Sequence, residues 1–165
     1  MKIVIISDSH DNIWKLAEAM PHLAGADVVL HCGDLISPFM IKRLSEGLGD
    51  IPVHLVWGNN DGDKSLVTQL AEVAGSITVH GDSAFLEIDG IKIAINHYPE
   101  NARKEAELGK FDLVCYGHDH TANQEWVGET LLLNPGELMG MNGPSTFAIF
   151  DTKTSEITWI ELADG

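Results

Sequence analysis

Two histidines stand together at the end of an apolar segment, in the run Gly117-His118-Asp119-His120. The residues from Leu113 onward form a strand-like run, and side chains alternate between the two faces of an extended segment. His118 and His120 therefore point into the same space, whereas Asp119 points away. Two imidazoles directed together indicate a metal-binding site. For an isolated pair of this kind, two surface histidines in a turn are the alternative.

Further candidate metal ligands follow other apolar runs, at the points where those runs end. Each is a carboxylate, an imidazole or an amide, and no cysteine is among them. This mixed donor set suits manganese, iron, zinc, nickel or magnesium better than an ion that prefers thiolates. Seven donors are too many for one tetrahedral structural zinc, and they fit two metals that share one bridging carboxylate. The seven are Asp8, His10, Asp34, Asn59, His97, His118 and His120.

The elements that must position these side chains alternate between strand and helix in the first half of the chain. Apolar runs at 2–6, 27–31 and 53–57 predict strands, and a polar loop and an amphipathic helix follow each of them. Such repeated units indicate a parallel sheet with ligands outside the carboxyl ends of its strands. The three helices are predicted over 13–24, 38–46 and 64–74.

The second half of the chain is richer in strands. Asp89-Gly90 is a turn dipeptide that joins the runs 84–88 and 91–95 as a β-hairpin, and a helix is predicted from about Asn101 to Leu108. Together the two halves predict a mixed α/β architecture with two packed sheets and helices outside. The later strands are predicted at 113–116, 124–127, 130–133, 145–150 and 156–162.

Length and composition predict one domain over residues 1–165, large enough to bury a core. The net charge of -15 argues against stable nucleic-acid binding, although bound cations can still attract a small phosphate substrate. No apolar run has the length of a membrane span, and Asp8 comes too early for a secretory signal, so the cytoplasm is the expected location. Cys32 and Cys115 are expected to be buried, reduced thiols.

The ordered set of motifs resembles the calcineurin-like metallophosphoesterases, in particular their small bacterial and archaeal phosphodiesterase branch. The resemblance rests on Asp8-x-His10, Gly33-Asp34, Gly58-Asn59-Asn60-Asp61, His97 and Gly117-His118-Asp119-His120, and it covers nearly the whole chain. It implies a four-layer α/β/β/α sandwich and hydrolysis of a phosphate ester at a two-metal centre.

The same resemblance assigns the ligands to two metal ions. Asp8, His10 and His120 would hold one ion, and the second would be held by a group of three, with Asp34 bridging both. Manganese is the expected ion, with nickel, iron, zinc and magnesium as alternatives. The group that would hold the second ion is Asn59, His97 and His118.

The chain departs from the family pattern at Asn60, where many relatives carry a histidine. An amide cannot act as a general acid, although Asn60 can still donate a hydrogen bond to phosphate. This departure favours phosphodiesters with good leaving groups over monoesters. Asp61 is expected to hold its loop or orient a neighbouring ligand rather than bind metal. Asn60 and Asp61 are thus the expected catalytic residues beyond the metal ligands.

One alternative function is a catalytically weak, metal-binding scaffold that uses the same fold for protein contacts. The presence of all seven donors favours an enzyme, and its expected partner is a small phosphate ester. Association with further copies of the chain stays open. Trp14 is expected to pack in the core rather than to line a substrate pocket, and ordinary surface or core roles are expected for His22, His31, His54 and His80.

Overall fold

Eleven strands and four helices make up residues 1–163, the part of the chain that the computed structural model describes. The strands are β1 (Lys2–Ile6), β2 (Val28–His31), β3 (Val53–Leu55), β4 (Ile77–Val79), β5 (Ser83–Ile88), β6 (Ile91–Asn96), β7 (Leu113–Cys115), β8 (Asn123–Val127), β9 (Thr130–Asn134), β10 (Thr146–Asp151) and β11 (Glu156–Glu161). The helices are α1 (Ile13–Leu23), α2 (Phe39–Leu48), α3 (Lys64–Ala74) and α4 (Pro99–Glu107).

The strands form two mixed sheets. In the first sheet the order is β11-β10-β1-β2-β3-β4, with β1 to β4 parallel and β10 and β11 antiparallel at one edge. The second sheet has the order β5-β6-β7-β9-β8, in which β6, β7 and β9 are parallel and the outer strands are antiparallel. This arrangement confirms the predicted mixed α/β architecture.

The two sheets pack face to face, and helices cover their outer sides. Along β1, Ile3 and Ile5 enter the core between the sheets, whereas Val4 and Ile6 enter the core beneath α1, α2 and α3, as the alternation of side chains in a strand requires. A third cluster packs α4 on the second sheet through alanines that allow close approach. The layers are therefore helix, sheet, sheet and helix, as the resemblance implies.

Several element bounds differ from the predictions by one or two residues, as in α2, which ends at Leu48, and three differences have a clear physical reason. The strand β4 was not predicted, because three residues with an exposed Thr78 carry little pattern of their own and are ordered by pairing with β3. Helix α4 begins two residues early, at Pro99, because the fixed φ of proline suits the first turn of a helix. The prediction of a buried Trp14 is wrong. Its side chain is 73% exposed, because the buried face of α1 carries Leu16, Ala19 and Leu23.

Two further predictions concern the thiols and the hairpin turn of residues 1–163. Cys32 and Cys115 are buried, free thiols, as expected. The turn residues Asp89 and Gly90 both have positive φ, at 52° and 79°, and close the predicted hairpin between β5 and β6. Within residues 1–163, each helix falls short of the length and apolarity that a membrane span requires.

A histidine pair joins β3 to the segment after β4. His54 Nδ1 lies 2.8 Å from His80 Nε2, so one ring donates a hydrogen bond and the other accepts it. Burial lowers the pKa of both imidazoles below the ordinary value of 6.5, and for His54 the neighbouring His80 lowers it further. The folded state therefore favours the neutral pair.

This pair should make the protein less stable in mild acid. Because the pKa values are lower in the folded than in the unfolded chain, the unfolded chain binds more protons, and stability falls as the pH drops below about 6.5. We expect His54→Gln to lose less stability than the unchanged protein between about pH 7 and about pH 5. Urea unfolding at each pH measures the difference, and equal losses in both proteins would contradict the prediction.

Candidate metal centre

The predicted ligands lie in the loops that follow β1, β2, β3, β6 and β7. The loops after β1 and β2 are joined by backbone hydrogen bonds from Asp8 N to Gly33 O (3.1 Å) and from His10 N to Asp34 O (3.1 Å). Gly117 N, after β7, donates to His97 O at 3.1 Å. His118 N, from the second sheet, donates to Asp8 Oδ2 of the first at 3.1 Å. The loops of both sheets therefore meet at one edge of the sandwich, and they bring all seven predicted side chains into one group.

The first cluster contains Asp8, His10 and His120, whose potential ligand atoms all lie within 4.8 Å of one another. His120 Nε2 is 3.2 Å from Asp8 Oδ1, and His10 Nε2 is 3.7 Å from the same oxygen. Asp8 is fully buried, and both imidazoles are partly exposed. One carboxylate oxygen and two imidazole nitrogens thus face a common point.

The second cluster is arranged around His97. Its Nε2 lies 3.6 Å from Asp34 Oδ2 and 3.1 Å from Asn59 Oδ1, and Asn59 Oδ1 is also 2.9 Å from His118 Nδ1. Asp34 Oδ2 is in turn 3.3 Å from His10 Nε2 of the first cluster. Asp34 therefore lies between the two clusters, where the resemblance places the bridging ligand. Asp8 is close to both, since its carboxylate also groups with Asp34 and His97.

Two buried polar atoms at this point have no hydrogen-bond partner within residues 1–163. They are Asp8 Oδ1 and His10 Nε2, both directed into the first cluster. A buried polar atom without a partner costs about 1–3 kcal/mol, so native structures rarely leave one without a role. A carboxylate oxygen and an imidazole nitrogen are also ligands that divalent first-row metals accept. The residues present therefore fit a metal ion.

The electrostatic field of the cluster favours positive charge. Burial alone would raise the pKa of Asp8 and Asp34, but nearby imidazoles and polar groups outweigh burial and hold both carboxyl groups below their usual pKa. The carboxylates of Asp34 and Asp8 raise the pKa of His10 to about 9, against the effect of its partial burial. Two ionised carboxylates at one point thus attract a cation, whether a proton or a metal.

Five of the seven candidate ligands have positive φ angles, an unusual conformation for residues other than glycine. The values lie between 41° for His10 and 75° for His118, and Ile36, next to the ligand loop, has 87°. Such conformations cost of order 1–3 kcal/mol each and gather at functional sites where the surrounding structure enforces them. The remaining three of the five are Asp8, Asp34 and His120.

Hydrogen bonds fix the orientation of two of the ligand imidazoles. His97 Nδ1 donates to Cys32 O at 2.8 Å, which leaves the lone pair of Nε2 free to face Asp34 and Asn59. His120 Nδ1 donates to Glu137 Oε2 at 2.6 Å, which directs Nε2 at Asp8. A carboxylate or carbonyl on the far nitrogen is the usual partner of a metal-binding histidine. Both imidazoles therefore have the tautomer that a metal ligand needs.

Glu137 is a residue of the site that the sequence patterns missed. It is fully buried, and its Oε1 accepts hydrogen bonds from the backbone N–H groups of Met141 (2.7 Å), Asn142 (2.6 Å) and Gly143 (2.8 Å). The only signal in the sequence is a glutamate in an otherwise apolar and glycine-rich stretch, directly after the Asn134-Pro135-Gly136 loop. One carboxylate thus holds both His120 and a neighbouring loop.

His31 links two ligand loops without facing the clusters. It is buried at the end of β2, where Gly33 N donates to its Nδ1 at 3.2 Å and its Nε2 donates to Ser9 Oγ at 3.0 Å. Burial lowers its pKa to about 4, so the ring is neutral at ordinary pH. The core role expected for this histidine agrees with these contacts.

The sequence of this chain matches a family of known phosphoesterases. The model of the calcineurin-like phosphoesterase superfamily domain matches residues 1–155. The chain belongs to this superfamily. It is 34% identical to a phosphodiesterase of Methanocaldococcus jannaschii, over 98% of this chain and 99% of that protein. It is also 32% identical to a Bacillus subtilis protein named "Probable metallophosphoesterase", over 84% of this chain and 75% of that protein.

Solved structures agree with this assignment. An archaeal phosphodiesterase matches with a TM-score of 0.90 and 33% identity, and the match covers 98% of this chain and 100% of that one. Vacuolar protein sorting 29 of Entamoeba histolytica, solved with zinc, has a TM-score of 0.70 at 21% identity, over 98% and 91% of the two chains, and shows the fold alone. The predicted resemblance is confirmed, and this chain is a calcineurin-like phosphoesterase, a hydrolase of phosphate esters.

The two expected catalytic residues of this phosphoesterase both contact the Asp34 loop. Asn60 donates to Asp34 twice, from its backbone N to Oδ1 (2.8 Å) and from Nδ2 to Oδ2 (2.7 Å). Asp61 accepts from the backbone N–H groups of Asp34 (3.1 Å), Ile36 (2.7 Å) and Gly58 (2.7 Å). Asn60 therefore holds the carboxylate of Asp34, and Asp61 stabilises the loop that carries it.

Asp119 and Asn134 lie beside the clusters rather than in them. Asp119 is exposed, and Asn134 Nδ2 donates to Asp119 Oδ1 at 2.5 Å and to Gly117 O at 3.2 Å. Close packing leaves no room for a side chain at Gly117, since an added Cβ would lie 2.0 Å from Ser7 Oγ and 2.5 Å from Asp8 Oδ2. Asn134 therefore shapes the turn that presents His118 and His120.

Replacing Glu137 should weaken metal binding. In Glu137→Gln an amide N–H can face His120 Nδ1, so the imidazole loses the acceptor that fixes its tautomer. We expect about 10- to 100-fold weaker binding of manganese at the first cluster, the usual effect of removing such a partner. Equilibrium dialysis measures the affinity directly, with the exposed Glu107→Gln as the matched control. Unchanged affinity in Glu137→Gln would contradict a positioning role.

Proposed function

We propose that this chain is, as one domain, a phosphodiesterase that hydrolyses small phosphodiesters with two divalent metal ions. The observation that carries the proposal is the position of Asp34, whose Oδ2 lies 3.3 Å from His10 Nε2 and 3.6 Å from His97 Nε2. One carboxylate oxygen between two groups of donors is the arrangement that a bridging ligand requires. Relatives named phosphodiesterase and metallophosphoesterase support the same proposal.

The two clusters would each hold one ion. Asp8, His10 and His120 face the first position, the second cluster faces the other, and Asp34 is shared. When bound, the ions supply Lewis acidity that acidifies water and neutralises the charge developing on the phosphoryl oxygens. We expect manganese as the working ion, with nickel, iron, zinc or magnesium as substitutes, because the donors are imidazoles, carboxylates and an amide.

The protein's own residues prepare this chemistry through orientation. The Cys32 carbonyl and the Glu137 carboxylate keep His97 and His120 in the ligand tautomer. The backbone and side chain of Asn60 hold Asp34 in place, and the second hydrogen on its amide nitrogen can donate to a phosphoryl oxygen. Preformed geometry of this kind lowers the cost of assembling the transition state.

The substrate preference follows from what Asn60 lacks. A neutral amide has no proton to give to a departing alkoxide, whose poor stability makes protonation necessary. An aryloxide leaves without such help. The substrates we propose are therefore small phosphodiesters with good leaving groups rather than alkyl monoesters.

The alternative function, a metal-binding scaffold, would show little or no turnover. Structures named vacuolar protein sorting 29 share this fold, and one fold can serve unrelated functions. All seven donors of this chain, however, form one group, and orienting partners hold His97 and His120 in the ligand tautomer. The presence of all seven donors and of these orienting hydrogen bonds supports an enzyme. Its expected location in the cytoplasm stays a prediction from sequence.

Removal of the bridging carboxylate should abolish turnover. We expect Asp34→Asn to lower kcat/KM for bis(p-nitrophenyl) phosphate by about 100-fold or more in the presence of manganese, because the amide cannot supply the bridging charge. The exposed Asp50→Asn is the matched control and should keep its rate. Similar rates in Asp34→Asn and the control would refute the two-metal mechanism. No turnover by the unchanged protein with any of the named metals would favour the scaffold.

The leaving group should decide which esters are hydrolysed. We expect bis(p-nitrophenyl) phosphate to be turned over faster than an alkyl monoester such as glycerol 2-phosphate, by about 100-fold or more, because Asn60 gives no acid catalysis. Initial rates at saturating manganese measure the ratio. A faster alkyl monoester would show that another group protonates the leaving oxygen, contrary to the prediction.

A further inference from the structure

A cavity of about 570 Å³ opens directly beside the first cluster. One of its walls is His10, a candidate metal ligand, and the others come from the start of α1 and from the loop after Glu137. A group attached to a phosphorus at the metal clusters would therefore lie next to this cavity. Its lining residues are His10, Asn12, Met139, Gly140, Met141 and Asn142, and we call it the Met141 pocket.

The wall of the Met141 pocket is held rigidly to the metal ligands. Met139 N donates to Asp8 O at 3.0 Å, and Met139 O accepts from Asn12 Nδ2 at 2.8 Å. Beyond Met139, Glu137 Oε1 accepts from three successive backbone N–H groups at 2.6–2.8 Å, while its Oε2 holds His120. The pocket wall and the clusters therefore form one preorganised unit, which is what specific binding requires.

The Met141 pocket combines two thioether side chains with the polar side chains of His10, Asn12 and Asn142, a lining that suits a planar group with an apolar face. Met139 is 8% exposed and forms part of the floor, whereas Met141 is 82% exposed at the rim. Thioether side chains are polarisable and flexible, and they make favourable contacts with aromatic rings. Among residues 1–163, no Asp or Glu lines the pocket, although the chain has a net charge of -15. A group carried by a phosphate anion thus meets no opposing carboxylate there.

We propose that the Met141 pocket binds an aromatic ester group of the substrate and that Met141 determines the preference for it. The inference rests on the proposed function, because the phosphoryl group must be held at the adjacent metal clusters. It adds the substrate class, aryl or similarly planar phosphodiesters. Met141 acts by covering one face of the ring, so its contribution depends on apolar area removed from water.

Two phosphonates that differ only in their substituent test this inference. Phenylphosphonate and methylphosphonate are titrated into the manganese-loaded protein by calorimetry, and the ratio of their affinities is the readout. We expect the unchanged protein to prefer the phenyl compound by about tenfold, the effect of burying part of a ring. We expect Met141→Ala and Met141→Gln to lower this preference about threefold to tenfold. Because Met141 is exposed, neither substitution disturbs the core.

The control and the possible outcomes separate this inference from the proposed function. Val73→Ala removes an apolar group that is 85% exposed on α3 and outside the pocket, and it should keep the preference. If the Met141 variants keep the full phenyl preference, the inference is overturned while the phosphodiesterase stands. If neither phosphonate shows manganese-dependent binding and bis(p-nitrophenyl) phosphate is not hydrolysed, the proposed function fails, and the inference fails with it.

Discussion

Two ionised carboxylates, those of Asp8 and Asp34, lie buried at one point between the loops of two sheets. A buried charge is stable only when it is paired or coordinated, and here imidazoles and backbone N–H groups supply part of the compensation. Asp8 Oδ1 and His10 Nε2 still have no hydrogen-bond partner among the described residues. Much of the surrounding structure can be understood as the means of holding this charge where a cation compensates it.

The two-sheet architecture makes that concentration of donors attainable. A single parallel sheet presents ligands only along one line of strand ends, whereas two packed sheets present loops from both sides of the core. The first sheet supplies Asp8, His10 and Asp34, and the second supplies His97 and the His118–His120 pair. Apolar packing between the sheets thus fixes the distance between the donors of the first sheet and those of the second. The helices outside serve chiefly to bury the outer faces of the sheets.

Much of this arrangement was predictable from local sequence. Each ligand ends an apolar run, and strand ends of parallel sheets meet at one edge, so position along the chain sufficed to group them. The role of Glu137 was not predicted because it depends on where a loop beyond β9 folds back, which no local pattern encodes. The short strand β4 and the exposed Trp14 escaped for a related reason: pairing with a neighbour and the choice of buried helix face are decided by tertiary packing.

The backbone around the clusters adopts unfavourable conformations that the surrounding structure stabilises. Positive φ angles at Asp8, His10, Asp34, His118 and His120 are unfavourable locally, by about 1–3 kcal/mol each. They persist because hydrogen bonds between the loops, such as the one from Asp8 N to Gly33 O, hold the backbone of each loop in this conformation. A metal bound at the clusters would add to the same stabilisation, since a ligand that binds only the folded state raises its stability.

Glu137 joins this metal-ligand geometry to the Met141 pocket. Its two oxygens have separate tasks, with Oε2 on the imidazole of His120 and Oε1 on the backbone of the pocket wall. The carboxylate is fully buried, so a shift of the wall must move either the carboxylate or its hydrogen bond to His120. Coupling between two binding events is reciprocal, so a metal ion that stabilised this orientation of His120 would also stabilise the wall on which an ester group would rest. Metal binding and the substrate selection proposed above would therefore be linked through one buried side chain.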